Sequence, residues 1–190
     1  MPARKEITLG ILAGGRGSRL GGIDKALMEL AGQSLLSRTM TALGSGFART
    51  LISYNGTDAR VLAIGARCIA DQRDHFPGPL AGIESLLAAA ATDWLLTVPV
   101  DLRDIPPELP EALSAELDGC VAGIGSVIRD ADGLQPLVAL WPVTAARPAV
   151  TAALDAGNGA AHQLLQSMHF RIFDISPLRL GNLNTHADFG

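Results

Sequence analysis

The stretch DWLLTVPVD, residues 93–101, is almost unbroken apolar chain that ends in a carboxylate. A strand with one wet face alternates apolar and polar residues. A continuous run such as this one predicts a strand buried on both faces, in the middle of a parallel sheet with helices above and below. The rest of the chain supplies matching parts. ITLGILA (7–13), RTLISY (49–54), CIADQ (68–72) and FRIFDI (170–175) read as further strands. Between them lie helical patterns at QSLLSRTMTAL (33–43), TDARVLAIGA (57–66, with Thr57 as cap), PLAGIESLLAAAA (79–91, with Pro79 at its first position), ELPEALSAEL (108–117), TAARPAVTAALDAG (144–157) and AAHQLLQSM (160–168). CVAGIGSVI (120–128) and PLVALWP (136–142) flank an Asp132-Gly133 turn and read as a hairpin. The expected class is α/β: three layers, α/β/α, around a mostly parallel sheet with one antiparallel strand.

Composition narrows the function. At 190 residues, with 48% hydrophobic and 18% charged, the chain reads as one globular domain spanning 1–190. Fifteen basic against nineteen acidic residues give −4, which argues against a nucleic-acid partner. The longest oily stretch, LLAAAATDWLLTVPV, is interrupted by Asp93 and contains Pro99, so no membrane span is expected. The first ten residues do not read as a secretory signal. Cys68 and Cys120 are far apart and belong to no metal-type pair, which points to the cytoplasm. His75, His162, His169 and His186 lack ligand spacing and read as non-ligands. Trp94 and Trp141 read as core residues.

The segment LAGGRGSRLGGIDKALMEL (12–30) leaves the first strand with five glycines, at 14, 15, 17, 21 and 22, interleaved with Arg16, Arg19 and Lys25. Glycines let backbone N–H groups approach an anion, and the cations neutralise it. The alternative is a surface turn with solvated charges. In open α/β sheets ligands bind beyond the carboxyl ends of the strands, which is where this segment begins. Neither common phosphate loop fits. The dinucleotide fingerprint would need a small residue where Leu20 stands, and a P-loop starting at Gly17 would need Lys and Ser/Thr where Ile23 and Asp24 stand.

What does fit is the pattern L-A-G-G-x-x-x-R-[ML]-G-G-x-D-K-x-L-x-x-L-x-G-x-x-L-L. Over it the chain resembles the molybdenum cofactor guanylyltransferases, the MobA-type family of the NTP transferase superfamily. The resemblance continues through ISYN (52–55), Asp71 followed by GPLAGI (78–83), LLTVPVD (95–101), LQPLVALW (134–141) and GNLNTHAD (181–188). After the aspartate of the buried strand the family usually reads C-D-T-P-F-L-P. Here the sequence is Val100-Asp101-Leu102-Arg103-Asp104-Ile105-Pro106, and His186 replaces a closing proline.

The resemblance implies a Rossmann-like nucleotidyltransferase fold, with a nucleotide-binding half at about 1–105 and an acceptor-binding half at about 106–190. It implies that Leu12, Ala13, Gly14 and Gly15 hold base and phosphates through their backbone. Lys25 would lie on the phosphates and Arg19 near the departing pyrophosphate. Asn55 and Asp71 would contact the nucleoside, and Asn182 and Asn184 would lie near the metal and the acceptor side of the cleft. Gln135 and Pro136 are candidates for lining the acceptor pocket. A carboxylate at the end of a buried strand is costly unless paired or metal-bound, and Mg²⁺ favours one or two carboxylates with phosphate oxygens. Asp101 is therefore the candidate Mg²⁺ ligand, its alternative being a helix cap, a role that suits Asp104 better.

The implied activity is transfer of GMP from GTP to the phosphate of a molybdopterin-type cofactor, with loss of pyrophosphate. The implied partners are these two substrates and other cofactor-biosynthesis or molybdoenzyme-maturation proteins. Two alternatives stand beside it. One is a cytidylyltransferase, or another sugar- or polyol-phosphate nucleotidyltransferase, of the same superfamily. The other is a non-catalytic nucleotide-binding module.

Overall fold

The computed structural model describes residues 1–14, 24–73, 78–183 and 188. The first strand, β1 (Ile7–Leu12), is buried along its whole length, with parallel neighbours on both sides. The chain then forms a small hairpin of β2 (Glu29–Leu30) and β3 (Gln33–Ser34), turning through Ala31 and Gly32, both at positive φ. Helix α1 (Leu35–Leu43) follows, capped by Ser34, whose hydroxyl accepts from the Ser37 N–H at 3.3 Å. The 33–43 pattern is thus a helix from Leu35 only. Gln33 and Ser34 pair with β2 before the helix starts.

Next come β4 (Arg49–Ser53), the short α2 (Ala59–Leu62), β5 (Arg67–Ile69), α3 (Pro79–Ala89) and β6 (Trp94–Pro99). α2 is capped by Asp58, not Thr57. The Asp58 carboxylate accepts from the Arg60 N–H at 2.8 Å and also pairs with the Arg60 side chain. These contacts hold the Asp58 carboxyl down at about 2. α3 begins as expected at Pro79, after Gly78 at φ 96. After β6 come α4 (Leu109–Ala115), β7 (Ser126–Asp130), β8 (Gly133–Pro142), α5 (Val143–Asp155), α6 (Ala161–Ser167) and β9 (Arg171–Asp174). Two expectations fail here. Asp104 does not cap α4, whose preceding residue is Glu108; the Asp104 N–H instead donates to the Leu180 carbonyl at 2.9 Å. Residues 120–125 are not strand. Gly123 sits at φ 88, and a Cβ on Gly125 would stand 2.4 Å from the Phe170 ring.

The main sheet runs β5-β4-β1-β6-β8-β7-β9. Within it β8 alone runs antiparallel to its neighbours β6 and β7, while β7 and β9 pair in parallel, as the alternation of runs implies. The buried residues fall into two clusters, one on each side of the sheet. One holds Leu35, Leu36 and Leu43 of α1 with Val61, Leu109 and Leu113. The other holds Leu80, Ile83, Leu86 and Leu87 of α3 with Val150, Leu154, Leu164 and Leu165 of α5 and α6. Trp141 is fully buried in the second cluster. Its indole N–H donates to the Thr97 hydroxyl at 2.8 Å, and its ring meets Phe170 edge-on at 5.0 Å. Trp94 is partly buried against the first cluster. Among the described residues no helix is long and apolar enough to cross a membrane.

Candidate active site

Four parallel strands deliver their ends to one place. Leu12 closes β1, and Ala13 and Gly14 follow it. Asn55, Asp71 and Asp101 each stand two residues past the last residue of β4, β5 and β6. Backbone bonds continue the sheet across this exit: Ala13 N–H to Ser53 carbonyl at 3.1 Å, Val100 N–H to Leu12 carbonyl at 3.1 Å, and Tyr54 N–H to Ile69 carbonyl at 2.9 Å. The crevice beyond the carboxyl ends of parallel strands is where such sheets bind ligands.

Lys25 and Asp101, 76 positions apart, meet here. The Lys25 ammonium donates to Asp101 Oδ2 at 2.5 Å, with side-chain exposures of 27% and 20%. Lys25 opens a single 3₁₀ turn (Lys25–Leu27). Asp24 caps that turn, with its Oδ1 accepting from the Ala26 N–H at 3.0 Å. The lysine is therefore aimed by a capped turn rather than carried on a loose surface segment.

Asn55 and Asp71 also come together. The Asn55 amide donates to Asp71 Oδ2 at 2.9 Å, and the Asp71 N–H donates back to Asn55 Oδ1 at 2.8 Å. Asp71 Oδ1 is buried and has no hydrogen-bond partner among the described residues. A buried carboxylate oxygen with an open lone pair is costly unless a ligand completes it. The segment after Asp71 is fastened to α3. The Gln72 N–H donates to the Ser85 hydroxyl at 3.1 Å, and Arg73 makes a two-pronged pair with Glu84 at 2.7 and 2.8 Å. The Arg73 guanidinium holds the Glu84 carboxyl below its usual range.

The segment 180–183 runs along the loop that leaves Asp101. Asn182 bridges to Leu102 in antiparallel fashion. The Leu183 N–H donates to the Asp101 carbonyl at 2.8 Å, and the Arg103 N–H donates to the Gly181 carbonyl at 3.2 Å. Arg103 also pairs with Asp188 at 2.8 Å. Asn182 thus lies beside Asp101. Gln135 is at the start of β8, which runs on past its last pair with β6 (Thr97↔Ala139) toward the same end of the sheet. Its amide donates to the buried Asp130 carboxylate at 2.9 Å. Asp130 also accepts from the Leu180 N–H at 3.0 Å, so Gln135 braces the 180–183 segment through Asp130. Gly15, Arg19 and Asn184 lie outside the described residues.

Several contributors had no sequence signal, because their roles exist only in three dimensions. Ser53 supplies the carbonyl for Ala13, and its hydroxyl lies where a Cβ on Gly82 would come within 2.6 Å. Arg38 of α1 donates to the Arg103 carbonyl at 3.4 Å, and its buried Nε has no partner among the described residues. Tyr54 donates its hydroxyl to Asp24. Among the described residues no group of three or more His, Cys, Asp or Glu side chains forms a ready metal cage. A single carboxylate such as Asp101 suits a divalent ion that takes its remaining ligands from phosphate and water.

Comparison with known proteins gives the family and the fold. Residues 9–172 fit the family model described as MobA-like NTP transferase domain. A molybdenum cofactor guanylyltransferase of Cupriavidus pinatubonensis is 39% identical over 151 residues, 76% of this chain and 74% of that one. One of Shewanella baltica is 32% identical over 177 residues, covering 92% and 89%. Among solved structures, molybdopterin-guanine dinucleotide biosynthesis protein A from Archaeoglobus fulgidus superposes with a TM-score of 0.76 at 23% identity, covering 96% of this chain and 94% of that one.

Proposed function

Because the chain belongs to the MobA-like NTP transferase family, we propose that it transfers GMP from GTP to the terminal phosphate of a molybdopterin-type cofactor, releasing pyrophosphate. The observation that carries the reading is the Lys25–Asp101 pair at 2.5 Å, set where the parallel strands end. In the free enzyme the two charges satisfy each other. When nucleotide enters, Lys25 turns to the phosphates and Asp101 becomes available to a divalent ion, Mg²⁺ in this proposal. The ion, once bound, supplies positive charge at the α-phosphate.

The chain's own residues do the rest. The backbone of Leu12, Ala13, Gly14 and Gly15 accommodates base and phosphates. Asp71, held by Asn55, offers its open Oδ1 to the guanine edge or ribose. Lys25, with Arg19 by its place in the family pattern, offsets the charge that grows on the departing pyrophosphate. The attacking group is an oxygen of a phosphate monoester with a second pKa of about 6, already mostly dianionic at neutral pH, so no general base is needed. Its oxygen forms a bond to the α-phosphorus as the bond to the bridging oxygen of pyrophosphate breaks. Catalysis is then positioning and charge neutralisation. Asn182 and Gln135, with Asn184 by its place in the family pattern, serve the acceptor side, so that residues at about 1–105 bind nucleotide and those at about 106–190 bind acceptor. The half-buried free thiols of Cys68 and Cys120 suit a cytoplasmic enzyme.

Calorimetric titration with GTP, CTP, ATP and UTP, each with and without Mg²⁺, tests this reading. Mg²⁺-dependent binding of GTP above the other three is expected. A preference for CTP moves the protein to cytidylyl transfer, and binding of none of them removes the transferase reading.

A further inference from the structure

The Lys25 turn has a brace on the neighbouring strand. Tyr54 directly follows β4 and is 5% exposed. Its backbone N–H is fixed on the Ile69 carbonyl at 2.9 Å, so the residue is anchored in the sheet before its side chain does anything. The hydroxyl donates to Asp24 Oδ2 and accepts from the Asp58 N–H at 3.4 Å. Asp24 uses its other oxygen to cap the turn that starts at Lys25. Its carbonyl accepts from the Leu27 N–H at 3.0 Å. One carboxylate is thereby held at both ends, by the turn it caps and by the tyrosine.

Room for this arrangement comes from Gly56. A Cβ there would stand 2.4 Å from the Tyr54 hydroxyl oxygen and 2.5 Å from Cζ, so the ring occupies the space a side chain at 56 would need. A phenylalanine would fill the same volume. What the hydroxyl adds is a fixed distance between the end of β4 and the residue preceding Lys25.

We infer that Tyr54 is a positioning residue for the transfer reaction: through Asp24 it sets where the Lys25 ammonium stands for the nucleotide's outer phosphates. The inference rests on the reading of Lys25 as a phosphate ligand. It makes a specific demand. The effect of Tyr54 must pass through Lys25, and it must be felt by a triphosphate more than by a monophosphate.

The test is a mutant cycle of Tyr54→Phe, Lys25→Ala and the double variant. It is read by calorimetric affinity for Mg²⁺-GTP and for GMP, with the thermal unfolding midpoint alongside. Tyr54→Phe is expected to weaken GTP about tenfold and GMP less than about twofold. The midpoint should stay within about 4 °C of wild type. In the Lys25→Ala background, Tyr54→Phe should have no further effect on GTP. Equal losses for GTP and GMP, additive losses in the double variant, or unchanged GTP affinity in Tyr54→Phe would each overturn the inference. If Lys25→Ala weakens GTP while Tyr54→Phe does not, the brace alone falls. If Lys25→Ala binds GTP like wild type, the phosphate assignment falls and the brace with it.

Discussion

Tyr54 is the single tyrosine of the chain, so its ionisation can be watched directly. Burial, and the hydrogen bond it donates to Asp24, push its phenol up to about 12 from an ordinary 10. A group whose pKa is raised by folding stabilises the fold fully below its unfolded value. That contribution is lost as pH rises through the folded value, here between about 10 and 12. The tyrosinate ultraviolet absorbance of the native protein is expected to rise only near the upper end of that window, and near the lower end in the urea-unfolded chain. A native titration at the ordinary value would mean that the hydroxyl is not held as described. At this scale the sequence was informative only where a residue's role is local. Pro79 announced a helix start because it acts on its own backbone. Tyr54 announced nothing, because its partner lies 30 positions away.

Elements are positioned by what they can approach. α3 packs against the ends of β1 and β4 because it presents Gly82 there. A Cβ at that position would stand 2.6 Å from Ser53 Oγ and 3.2 Å from Leu12. Gly82→Ala is therefore expected to destabilise the protein by about 1–3 kcal/mol, measured by urea unfolding, as overpacking does elsewhere. It should also weaken nucleotide binding, since Ser53 holds the backbone of Ala13. An unchanged urea midpoint would show that the helix has slack. Strands in the sheet's centre were legible from sequence because burial on both faces leaves a continuous apolar run. The 120–125 segment misled because CVAGIG is apolar enough for a strand, yet Gly125 is needed to make room for the Phe170 ring. The small hairpin before α1 was hidden because Gln33 and Ser34 suit a helix start equally well.

Across the molecule, the sheet gathers the four exits on one side, and residues 180–183 meet the Asp101 loop from the other half. That the sheet is mostly parallel could be anticipated, since strands alternate with helices; the order of its strands could not. The contact between residues 101–104 and 180–183 could not, because backbone-to-backbone pairing leaves no mark on side-chain choice. Arg103 is the exception, a side chain that reaches Asp188 at 2.8 Å, and it stands where the family pattern departs. Arg103→Ala is expected to raise KM for the acceptor severalfold while leaving KM for GTP within about twofold. Steady-state kinetics with each substrate varied in turn would decide this. A loss confined to GTP would place Arg103 with the nucleotide instead.

The reciprocal bonds between Asn55 and Asp71 constrain how this lineage can change. The donor of one bond is the backbone N–H of residue 71, which any residue but proline keeps. The other bond needs an amide at 55 and an acceptor at 71. Asn55→Asp sets two carboxylates together and removes that amide. Asp71→Asn keeps an oxygen that can still accept from it. The two positions are therefore unequal: residue 55 must bring both a donor and an acceptor, residue 71 an acceptor alone, so change in this lineage has its easier first step at 71.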